Sequence, residues 1–214
     1  MKISEKYADY ILEETKKLLE IDSPSGYTKN VAEYVMEEYH KLGYKADMTV
    51  KGGVLVDLGG EDESNAVMLD THIDTLGGMV SEIKADGNLR IVPIGGLNAN
   101  NTEAENVRVV TRDGKIYTGV FQLDNASVHV NKEYSEKKRS FACMEVLLDE
   151  IVSTKEETRK LGIDVGDIVC FDPRTVITPS GYIKSRFLDD KLSVGILLGF
   201  ARFLKDEGIT PKRK

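Results

Sequence analysis

Residues 66–74 read AVMLDTHID, four apolar side chains followed at once by Asp70, Thr71, His72, Ile73 and Asp74. The apolar run predicts a strand, and a strand's period of two puts Asp70, His72 and Asp74 on one face. Three protic groups then converge where the strand ends, which in an open α/β sheet is the end where ligands bind. A histidine flanked by carboxylates is also how metal sites fix an imidazole's tautomer and basicity. The same residues fit a polar strand end that faces solvent, so this stretch alone leaves both readings standing.

Upstream, Tyr7, Ile11 and Leu18 fall on one helical stripe with Ala8, Leu12 and Leu19 beside it, which predicts an amphipathic helix from about Ser4 to Glu20. Pro24 and Gly26 in IDSPSGYT break it, and Thr28 is an N-cap candidate for a second helix with Val31, Val35 and Leu42 inward and Gly43 as its stop. MTV and VLVDL around Lys51, Gly52 and Gly53 read as a hairpin. Two helices, strands and a later long helix fit an α/β layered arrangement better than an all-β one.

Downstream the texture changes. MVSEI and LRIVPI flank Asp86-Gly87, and VRVVT and IYTGVF flank Asp113-Gly114, so residues 77–172 read as a strand-rich insert. Its one helix signal is Ser153 with Glu156 as a capping box, closed by Gly162. Residues 1–76 and 173–214 then form an α/β domain, ending in a helix from about Asp190 to Lys205.

Composition bounds the function. With 29 Lys and Arg against 36 Asp and Glu, the formal charge of −7 and the lack of a basic run disfavour nucleic acid, whose phosphates need clustered cations. The charged N-terminal stretch lacks the apolar core of a signal peptide, and the apolar run from Val194 to Leu204 is too short for a membrane span, so a cytoplasmic protein without membrane contact is expected. Cys143 and Cys170 are too few and too far apart for a zinc ribbon or disulfide framework. His40 reads as a surface residue and His129 as a strand or loop position of the insert.

The second chemical constellation is residues 185–191, SRFLDDK, where Asp189 and Asp190 sit at the start of an apolar helix. Paired acids there are stabilised by the helix dipole, so helix capping accounts for them as well as metal binding does. Taken together, however, SPSGYT, THIDTLGGMV, VPIGG, STKEETRKLGIDVGDIVCFDP and SGYIKSRFLDDKLSVG resemble, in order and spacing across the whole chain, the tetrahedral, glutamyl-aminopeptidase-like family of co-catalytic metallopeptidases, some of whose relatives have been described as cellulases or endoglucanases.

The resemblance implies an α/β/α zinc-peptidase-like catalytic domain interrupted by a small β-rich dimerisation domain. It makes His72 a ligand of one metal, Asp74 the catalytic carboxylate that orients it, and Asp189 the carboxylate that bridges two divalent ions, zinc or cobalt, with Asp190 following across a cis peptide. Thr75 stands where many members have an acid. It also implies that a Glu-Glu pair, a further Asp and a His should follow, and none is found before Lys214, so a fragment or truncated product is expected, with weak metal binding or none. The implied activity is removal of N-terminal residues from peptides by a homo-oligomer associating through the insert. The alternative is a non-catalytic oligomerisation subunit. A cellulase reading ranks last, because the chain has no Trp to stack on sugar rings and its paired acids lie in a metal-like setting.

Overall fold

The computed structural model describes residues 3–214 and side chains from Glu5 onward. In chain order the elements are α1 (Ile3–Glu20), α2 (Lys29–Lys41), β1 (Lys45–Met48), β2 (Val54–Asp57), β3 (Gly77–Ile83), β4 (Leu89–Ile94), β5 (Glu105–Val110), β6 (Ile116–Leu123), β7 (Met144–Leu148), α3 (Lys155–Lys160), β8 (Ile168–Phe171), β9 (Val176–Ile177), β10 (Ile183–Lys184) and α4 (Leu188–Asp206). They fall into two compact units, Met1–Asp74 with Pro173–Lys214, and Thr75–Asp172.

In the first unit the helical stripes meet in one core of Leu18, Val31, Val35, Tyr39, Ala46, Val194, Leu198 and Ala201. Removing such side chains from water is the main term holding helices together. Gly195 and Gly199 lie one turn apart on α4, and a Cβ at either would run into Thr15 or Ile11 of α1, so the two glycines let these helices approach closely. Thr28 is the N-cap residue of α2 but makes no side-chain capping bond. Gly43 takes the left-handed conformation, φ 83°, that ends this helix. β1 and β2 pair antiparallel from Lys45↔Asp57 to Met48↔Val54. The first strand therefore ends at Met48, and the expected strand residues Thr49 and Val50 belong to the turn.

The stretch 66–71 departs from expectation, because it takes no regular secondary structure and belongs to no ladder. A strand exists only through a neighbour's hydrogen bonds. Here the Val67 amide reaches the Lys214 carbonyl, and Val67, Met68 and Leu69 stay exposed.

The second unit is a closed antiparallel barrel in the order β3-β4-β7-β6-β5-β8. Alternating residues such as Val107, Val109, Phe121, Leu123, Val146 and Val169 fill its interior. Closure removes the free edges expected of a small β module. Buried Glu145 is matched by Lys84 and by Asn88 Nδ2 at 3.0 Å. The capping box of α3 sits one residue later than expected: Thr154 is the N-cap and accepts from the Glu157 amide, while Glu157 accepts from the Ser153 amide at 2.8 Å. Among the described residues no helix is long and apolar enough to cross a membrane.

Candidate metal centre

The first unit contains His72, Asp74, Asp189 and Asp190. The segment 70–74 lies beside the start of α4, and neighbouring residues on one pair with neighbouring residues on the other: Thr71 Oγ1 donates to Asp190 Oδ2 at 2.5 Å, and His72 Nε2 lies 3.1 Å from Asp189 Oδ1. The peptide between Asp189 and Asp190 is cis. Both residues have non-helical backbones, so the regular part of α4 begins at Lys191.

The two aspartates divide the roles that the sequence left open. Asp190 is turned inward and bound by Ser193, Thr71 and the His72 amide. Burial pushes its carboxyl up, but those hydrogen bonds and the nearby His72 charge prevail and hold it below the usual carboxylate range. That is helix-start work. Asp189 points outward, its side chain 94% exposed, and faces the His72 ring.

The other side of the imidazole is also occupied. His72 Nδ1 is 3.2 Å from Asp74 Oδ1 and 3.3 Å from the Asp74 carbonyl, and Asp74 Oδ2 accepts a short hydrogen bond from Ser25 Oγ. Both ring nitrogens thus face acceptors, the Asp74 carbonyl and carboxylate at Nδ1 and the Asp189 carboxylate at Nε2. With one proton on the ring, one nitrogen presents a lone pair to a carboxylate oxygen, a contact that a second proton or another cation reconciles. Burial alone would lower the His72 pKa, yet the hydrogen bonds and negative charges of Asp189 and Asp74 raise it.

Metal–ligand bonds of about 2.1 Å meeting at roughly 90 to 110° leave their donor atoms about 3.0 to 3.4 Å apart, and the 3.1 Å gap falls within that range. An imidazole nitrogen with a carboxylate suits zinc, cobalt or manganese. The donor set is short, however: among the described residues no group of three or more His, Cys, Asp or Glu side chains is placed to hold a metal ion. Asp70 is exposed and lies outside both pairs. Thr75 is buried, His129 is exposed in a turn of the second unit, and His40 Nε2 bonds the Ala46 carbonyl at 3.1 Å.

The sequence profile of the M42 glutamyl aminopeptidases matches residues 52–212. The chain belongs to that family. YhfE of Bacillus subtilis is 44% identical over 92% of this chain and 57% of its own length. An aminopeptidase from the archaeon Desulfurococcus kamchatkensis superposes with a TM-score of 0.81 at 32% identity, covering 91% of this chain and 52% of that one. The TET1 peptidase of Pyrococcus horikoshii, described as assembling into a tetrahedron or a large octahedral shell, gives a TM-score of 0.77 at 25% identity over 92% and 57%. These likenesses settle the fold class as the expected mixed α/β peptidase type. This M42 chain spans about half the length of the curated relatives it matches.

Ser25, Thr71, Ser193 and Lys191 were given no role by sequence reasoning. Ser25 lay within the quoted SPSG stretch, and Lys191 was a charged residue opening an otherwise apolar helix, which was the one available signal.

Proposed function

We propose that this M42 chain carries the His72 and Asp189 portion of a divalent-metal site in a protein that removes N-terminal residues from peptides. The observation that carries the reading is that Nε2 and Asp189 Oδ1 are held 3.1 Å apart while Asp74 flanks Nδ1 on the other side of the ring. The chemistry such a site would supply is that of a Lewis acid, which would polarise a scissile carbonyl and make a water more acidic. His72 supplies a neutral nitrogen ligand. Asp74 would favour the ring proton on Nδ1 and strengthen the ring's basicity, and Asp189, its side chain 94% exposed, would supply carboxylate oxygens to the ion.

A stable zinc site takes about four ligands, and catalytic sites draw three from protein. With two donors, this chain should bind zinc weakly, at no more than one equivalent, and show no peptidase turnover. Calorimetric titration with zinc, beside hydrolysis of aminoacyl substrates and a His72→Ala control, tests this. Tight binding of two ions, or binding indifferent to His72→Ala, refutes the site.

The likeness to the TET1 peptidase supports a homo-oligomer, which we assign to residues 77–172 and test by light scattering. The closed barrel withdraws strand edges as the means, leaving exposed side chains such as Met79, Val92 and Leu147. A strict monomer refutes the assignment. Cys143 and Cys170 are not joined in a disulfide, which is in keeping with the reducing cytoplasm as the place of action.

A further inference from the structure

We propose that Ser25 is a positioning residue for the His72 side of this site, acting through Asp74. Its geometry is independent of any metal, whereas its consequence rests on the metal reading of His72 and Asp189. Asp74 gives one oxygen to each neighbour: Oδ1 lies 3.2 Å from His72 Nδ1, and Oδ2 takes the Ser25 hydroxyl. The Asp74 side chain is 41% exposed, so packing alone does not fix its rotation. The serine hydroxyl supplies the missing constraint. It holds the carboxylate with one oxygen beside Nδ1, where its negative charge adds to the Asp74 carbonyl at 3.3 Å in favouring the ring proton on that nitrogen and leaving Nε2 toward Asp189.

Ser25 can do this because its loop is moored at both ends of the site. Buried Ser23 Oγ donates to the Ile73 carbonyl at 2.9 Å, tying the loop to the backbone between His72 and Asp74. Pro24 between the two serines fixes one backbone angle, and its carbonyl accepts from the Tyr27 amide at 2.7 Å, closing a turn at Gly26. Where the loop leaves α1, the carbonyls of Leu18 and Ile21 take the Lys191 ammonium at 2.7 and 2.6 Å. Lys191 is the residue after Asp190, so a single loop references both the histidine segment and the aspartate segment.

The test uses the whole chain with cobalt(II) as the probe, and nitrogen NMR of the imidazoles in the metal-free protein. Ser25→Ala should weaken cobalt binding by about tenfold to a hundredfold, the usual effect of losing a partner behind a metal ligand. It should also convert the neutral His72 ring from the Nδ1-protonated tautomer to a mixture. Ser25→Thr, which keeps the hydroxyl, should restore both. A purely structural role would lower the melting temperature without moving the tautomer. A Ser25→Ala protein with the parental tautomer overturns the proposal whether or not cobalt binds. If His72→Ala leaves cobalt binding unchanged while Ser25→Ala shifts the tautomer, the metal reading fails and the positioning role stands.

Discussion

Replacing Lys191 with methionine isolates the lysine's contribution to the fold. The side chain is 1% exposed, and its ammonium donates to the Leu18 and Ile21 carbonyls at 2.7 and 2.6 Å. Methionine keeps a stem of similar length and fills the same space without charge. Hydrogen bonds from a charged donor contribute about 1.5 to 3 kcal/mol each, so the gross loss is about 3 to 6 kcal/mol. Part of it is offset because the variant no longer buries an ammonium, and because the Leu18 carbonyl still accepts from the Ile21 amide at 3.2 Å. The net destabilisation should be about 2 to 3 kcal/mol, and the melting temperature should fall by roughly 8 to 12 °C at about 4 °C per kcal/mol. The far-ultraviolet dichroism of the helices reads it directly, since α1, α2 and α4 all belong to the first unit. A variant within about 0.5 kcal/mol of the parent would refute the argument, showing that the ammonium gains no more from the carbonyls than it loses by leaving water.

Two further outcomes follow from the same structure. Because the His72 pKa is raised above its ordinary 6.5, its contribution to stability is fully present below that value and is lost as the pH rises through the higher folded one. The ring is 54% exposed, so the effect should be small: the melting-temperature advantage over His72→Asn should shrink as the pH rises from about 5.5 to 8, while zinc affinity rises as Nε2 sheds its proton. An advantage that grows with pH would refute the assignment. Met68→Lys should change the urea midpoint by no more than about 0.5 kcal/mol equivalent, because Met68 is 76% exposed, whereas a loss of 2 kcal/mol or more would show that residues 66–71 form a packed strand.

The elements with local signals were legible in the sequence. The stripe through Leu18 and the run of Val31 and Val35 placed α1 and α2 by periodicity, and the Asp86-Gly87 and Asp113-Gly114 turns placed two hairpins that the structure forms as β3–β4 and β5–β6. What failed depended on distant partners. The run 66–71 has a strand's composition, but hydrogen bonding by a neighbour is a tertiary fact that composition does not carry. The α3 cap slipped by one residue because Ser153 and Thr154 are both competent caps, as Glu156 and Glu157 are both competent partners, and only packing chooses between them. Barrel closure was equally invisible, since it rests on β3 pairing with β8 across most of the unit.

At the candidate site, the sequence supplied the charged groups and missed the neutral ones that order them. His72, Asp74 and Asp189 stood out because carboxylates and imidazoles are conspicuous, but a serine in a loop has too many ordinary uses to stand out. The structure shows why the conspicuous residues are insufficient. Asp189 and Asp190 are identical in chemistry and adjacent in sequence, yet one is exposed toward His72 and the other is bound by Thr71 and Ser193. Their difference is created by hydroxyl groups, just as the two oxygens of Asp74 are distinguished by Ser25 on one side and His72 on the other. On the proposed reading, a change at His72 or Asp189 therefore removes a ligand outright. A change at Ser25 or Thr71 would leave both proposed ligands in place and alter only which atom each one presents, so such variants separate the supply of ligands from their orientation.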